Sequence, residues 1–176
     1  MSEPTDKHQD AADCGIPESC ERVVGTGLIV LDNAPTALMF LLGSALIWNV
    51  EPAFSILFFV YCCLSIVMFW RFICPWCHHF GGSGCPCGYG RIASRFFKRK
   101  TGKEFKKVFR QNISILFPCW VIPSVTGVYL LWRRFSWELF YLFLSFCLVG
   151  FVLIPAISRF MGCKACKIRD DCPWMS

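Results

Sequence analysis

The sequence predicts an all-α fold: an integral membrane bundle of four transmembrane helices, paired as two hairpins, with a cytoplasmic Cys-rich loop and tail. Three observations predict it. Apolar residues make up 55% of the 176-residue chain and charged residues only 17%, with a mean hydropathy of +0.49, outside the range of ordinary water-soluble domains. Four apolar runs of about spanning length follow one another. Of the 18 lysines and arginines, only Arg133 and Arg134 fall in the short turns between paired runs.

Residues 1–22 form an acidic N-terminal tail with no basic n-region and no early apolar stretch. The first membrane segment is therefore expected to serve as the insertion signal. Residues 23–73 carry an interfacial segment and the first hairpin. The run 23–31 is interrupted by Gly25 and Gly27 and is too short to span. Asp32 and Asn33, with Pro35 in the first turn, then read as a helix start. The first span is expected at 34–50 and the second at 53–72, where Trp70 and Arg71 anchor it at the interface. Residues 74–112 form a Cys-rich basic loop. In its second half Ile92, Phe96, Phe97, Phe105, Val108 and Phe109 recur at roughly helical spacing among cations. That pattern predicts an amphipathic helix on anionic lipid headgroups, broken near Gly102. The second hairpin, 113–157, holds Pro118 and Pro123 in its first helix, which predicts a kink there. Residues 158–176 are a second Cys-rich tail.

Four spans place both termini and the central loop on one side. The region 71–110 holds ten lysines and arginines. The positive-inside rule puts that side in the cytoplasm, making the chain a multi-pass protein of the cell membrane. Thiols there stay reduced, so cysteine pairs point to metal ligation or redox chemistry rather than to structural disulfides.

Thirteen cysteines are present, and four of them, with two histidines, fall within residues 74–90. This stretch has almost nothing apolar to pack and must be held by its neighbours. Cys74, Cys77, Cys85 and Cys87 supply four thiolates in two close pairs. That donor set suits tetrahedral zinc or an iron–sulfur cluster, and the alternative is a bare redox dithiol. His78 and His79 stand beside them as further ligands or as surface residues. In the tail, Cys163, Cys166 and Cys172 offer three thiolates, which Cys14 or Cys20 completes on the same membrane face. The two groups are expected to lie side by side as one assembly. Cys62, Cys63, Cys119 and Cys147 fall inside spans, where cysteine packs as a small hydrophobe. Their functional alternative is a ladder of thiols passing a soft metal ion.

No Gly-rich phosphate loop, nucleophile elbow or HExxH motif occurs in the sequence, and no catalytic residue is assigned. The basic loop reads acidic lipid rather than nucleic acid. The functional expectation is a membrane protein with cytoplasmic-face cysteine metal sites, associated with redox or electron transfer through an iron–sulfur centre. Its partner is then another membrane or soluble redox protein. The alternatives are structural zinc in a membrane anchor or assembly factor, and a thiol-based soft-metal transporter.

Overall fold

The computed structural model describes residues 24–102 and 104–162, and every described element is helical. Helix α1 runs Thr26–Trp48, α2 Pro52–Phe72, α3 Tyr89–Phe96, α4 Phe105–Asn112 and α5 Pro118–Arg133. Helix α6 covers Trp137–Cys147 and α7 Ile154–Ile157, joined and followed by π-helical turns at Leu148–Leu153 and Ser158–Gly162. Four stretches are long and apolar enough to cross a membrane: Thr26–Trp48, Pro52–Trp76, Phe105–Arg133 and Trp137–Phe160.

Helix α1 is the hub, packing against α2, α5 and α6. The core between them contains Met39, Phe40, Leu46, Ile47, Phe58, Cys62, Cys119, Phe146 and Val149. Small residues let the helices approach closely. A Cβ on Gly127 would lie 2.2 Å from Phe143, and one on Gly43 2.9 Å from Pro123. Facing outward are Leu41, Leu57, Val125 and Phe151, all exposed.

Turn chemistry accounts for the helix ends away from the loop. Pro52 opens α2 at its first position, where no N–H is needed. Ser136 caps α6 by accepting from the Leu139 N–H at 3.2 Å, and Glu138 lies in that first turn, where negative charge is favoured. Arg134 donates to the Asn49 carbonyl, so the 48–52 and 133–137 turns lie together at one end.

Two expectations change. Asp32 and Asn33 do not start the first helix, because α1 begins at Thr26 and Pro35 lies inside it. The Asn33 side chain donates to the Ile29 carbonyl at 2.7 Å and to the Cys87 carbonyl at 3.0 Å. It is therefore occupied as a tie to the cysteine loop and is not an N-cap. The basic segment divides near Gly102 as expected, into α3 and α4, but its apolar residues do not share one outward face. Val108 and Phe109 of α4 are buried, whereas Ile92 and Phe96 of α3 are exposed, Phe96 at 71%. Only the first piece offers an apolar face outward.

The third span is discontinuous. A 3-10 segment at Ile113–Leu116 separates α4 from α5. Pro118 has no N–H for the Ser114 carbonyl, which takes the Phe117 N–H instead at 3.2 Å. The Ile115 carbonyl accepts from the Tyr61 hydroxyl at 2.6 Å. Together these bonds satisfy the backbone groups that the proline disturbs.

Candidate functional site

Residues 74–90 fold across the end of the bundle where α1 begins and α2 ends. Polar backbone groups do much of the holding, as expected of a segment without apolar side chains. The Val24 N–H donates to the Ser83 carbonyl at 3.0 Å, Lys100 N–H to Pro75 at 3.0 Å and Gly81 N–H to Gly90 at 3.2 Å. Tyr89 packs edge-on against Phe69 and Trp70 of α2, at ring separations of 6.0 and 5.8 Å. Burial pushes the Tyr89 hydroxyl upward in pKa, and the neighbouring Cys87 adds to the effect.

Two glycines are required by this packing. Gly88 has φ +72°, and a Cβ there would sit 2.9 Å from Ile29. A Cβ on Gly90 would lie 2.7 Å from the His79 carbonyl oxygen. A side chain at either position would prise the loop off α1 or off its own first turn.

Within this frame the Cys85 and Cys87 sulfurs come to 3.6 Å. Cys85 is buried and Cys87 half-buried. The Gly90 N–H donates to the Cys85 sulfur at 3.3 Å. Cys85 is held down to about pH 6 by the hydrogen bond from Cys87, against the opposing effect of burial, with help from the Gly90, Gly88 and Cys87 backbone N–H groups. The same pairing pushes Cys87 well upward. One sulfur is thus set up as the thiolate and the other as the thiol that donates to it, a division that a helix N-terminus, here that of α3, reinforces.

Cys74 is buried in the 3-10 turn Cys74–Trp76 at the end of α2, near enough to Cys85 and Cys77 for their charges to act on it. Cys77 is half-buried. Burial lowers the His79 imidazole, and His78 adds to that. Among the described residues, no three of His, Cys, Asp and Glu gather into a group that could hold a metal ion. What stands close together is the Cys85–Cys87 pair, with Cys74 next to it, rather than a closed set of four. Cys14, Cys20, Cys163, Cys166 and Cys172 lie outside the described residues.

The cysteines of the long apolar helices separate. Cys63 is exposed on the outer face of α2, while Cys62 is buried and meets Cys119 of α5 at 3.7 Å between sulfurs. The adjacent pair in the sequence is therefore not a pair in space. Sequence spacing could not show the 62–119 contact, which depends on how α2 and α5 pack. Asn33 was likewise missed as a loop tie, although an amide inside an apolar run signals a polar partner. No protein-family model matches the chain, and neither a curated protein nor a solved structure matches it.

Proposed function

We propose that this is a membrane-integral thiol-redox protein in which Cys85 is the reactive sulfur and Cys87 its resolving partner. The observation that carries the reading is the 3.6 Å contact between the two sulfurs, with the Gly90 N–H on Cys85. The Cys85 thiolate attacks one sulfur of a substrate disulfide, forming a mixed disulfide and releasing the other sulfur as a thiolate. Cys87 then loses its proton and attacks Cys85, which releases the second substrate sulfur and leaves a Cys85–Cys87 disulfide. Two electrons pass to the substrate, and a dithiol partner restores the pair by the reverse exchange. The basic loop supports a cytoplasmic face for this site, and the exposed Arg91, Arg95 and Phe96 of α3 support contact with anionic headgroups.

A metal–thiolate centre is the second reading, favoured by the same distance. A metal–sulfur bond of about 2.3 Å puts two sulfurs on one tetrahedral ion about 3.8 Å apart. The pair therefore suits zinc, or one iron of a two-iron cluster, better than a cubane in which each cysteine takes its own iron. Cys74 and Cys77 would complete four ligands by moving inward.

One experiment separates the two. Protein purified anaerobically is equilibrated across a glutathione redox series, alkylated and peptide-mapped, with metal and sulfide measured on the same sample. A Cys85–Cys87 disulfide that forms and is lost reversibly supports the dithiol. Stoichiometric metal with both thiols protected supports the centre, coloured for iron–sulfur and colourless for zinc. Free alkylation of both cysteines at every poise, without metal, defeats both readings.

A further inference from the structure

Cys62 and Cys119 are fully buried, and Ser65 is 1% exposed, in a core otherwise built from apolar side chains. Their hydrogen bonds form a directed ring. Cys62 donates to the Cys119 sulfur at 3.7 Å. Ser65 gives its proton to the Cys62 carbonyl at 2.7 Å. Its oxygen, 3.6 Å from the Cys119 sulfur, is then left to accept from the Cys119 thiol. The cluster lies ten residues, about 15 Å, inside α2 from its Phe72 end.

A second feature coincides with it. The third span breaks at Ile113–Leu116, and Cys119 is the second residue of the half-helix α5 that follows. A helix N-terminus inside an apolar core favours negative charge in its first turn. Interrupted spans at such depth are tolerated where the irregular backbone serves a site.

We infer that Cys62 and Cys119 form an intramembrane binding site for a soft monovalent d10 metal ion of the Cu(I) type. Thiolates select such an ion, and sulfurs 3.7 Å apart need part by only about half an ångström for one ion to sit between them in the two-coordinate geometry that a pair of soft ligands allows. Zinc requires about four ligands and finds two sulfurs here. Binding exchanges one ion for two thiol protons, which leave to the aqueous phase. The bound unit carries one net negative charge. That charge faces the α5 N-terminus, and the Ser65 hydroxyl can turn from the Cys62 carbonyl to donate to the Cys119 thiolate. The site is independent of Cys85 and Cys87.

The test uses the full chain in lipid nanodiscs, loaded anaerobically with Cu(I) against a competing chelator at fixed free ion. Wild type and the Cys63→Ala variant should each hold one more ion per chain than Cys62→Ala or Cys119→Ala. Cys119→Met, which keeps a soft sulfur, should retain that ion, and Cys85→Ala should leave the difference unchanged. Equal ion counts in wild type, Cys62→Ala and Cys119→Ala overturn the inference. Should the alanine variants not yield monodisperse protein, Cys119→Met and wild type carry the test through copper X-ray absorption. A two-sulfur contribution lost in neither, and no thioether signature in Cys119→Met, overturns it equally.

Discussion

Replacing Cys87 by alanine removes the main influence that holds the Cys85 thiol at about pH 6. Cys85 should then titrate near the ordinary cysteine value of about 8.5. Near pH 5.5 the thiolate fraction falls from about one quarter to about one thousandth, a roughly 240-fold loss. The more basic thiolate is a better nucleophile, by roughly 13-fold for a Brønsted coefficient of about 0.45. The two effects leave wild-type Cys85 about 20-fold faster toward iodoacetamide near pH 5.5. Near pH 7 the advantage shrinks to about twofold, and near pH 9 the variant becomes roughly tenfold faster. The sign follows from the thiolate being the reacting form: wild-type reactivity rises as pH passes through about 6 and is flat above it. The assay is quantitative peptide mapping of Cys85 after timed alkylation across this range, using intact protein in detergent. A crossing of the two profiles is the expected signature. Parallel profiles, or a wild-type midpoint near that of ordinary cysteine, would refute the division of roles between the two sulfurs.

Gly88→Ala puts a side chain at φ +72° and 2.9 Å from Ile29. It should cost about 1–2 kcal/mol for the left-handed backbone, read as a lowered thermal midpoint together with faster alkylation of Cys85 as the loop lifts from α1. Gly127→Ala places a Cβ 2.2 Å from Phe143 and should destabilise the α5–α6 contact by roughly 1–3 kcal/mol. Restoration of the thermal midpoint by adding Phe143→Leu checks that cause. Reporters active only in the cytoplasm, inserted within residues 81–84 and fused after Ser176, should both be active. Activity only on the other side at either position would reverse the assignment of the cysteines to a reducing compartment. A peptide covering residues 91–111 should gain helicity on anionic vesicles and lose part of that gain in high salt, with each basic residue adding roughly 1 kcal/mol. Equal helicity on neutral vesicles would remove the lipid-contact reading.

The helical class and the four apolar stretches were legible in the sequence because both depend on composition and length alone. A backbone that cannot hydrogen-bond to lipid must be helical or barrel-like, and runs such as 53–72 reveal that without knowledge of packing. A disturbance of the third span at Pro118 was legible too, since proline removes an N–H wherever the chain goes, whereas the 3-10 segment before it was not, and Pro123 lies inside α5 without ending it. Helix α1 shows the limit of such local signals. Asp32, Asn33 and Pro35 carry the features of a helix start, yet α1 runs from Thr26 through all three, and Asn33 bonds to the Cys87 carbonyl, a partner 54 residues away. The cysteines divide in the same way. That residues 74–90 display thiols is evident from residue type. That Cys85 and Cys87 share a hydrogen bond while Cys74 and Cys77 do not close around them depends on Gly88 and Gly90 lying flat against Ile29 and His79. Cys62 and Cys63 are adjacent in the chain, but successive residues on a helix point about 100° apart. Only the packing of α2 against the start of α5 decided that Cys62 meets Cys119 and Cys63 faces outward.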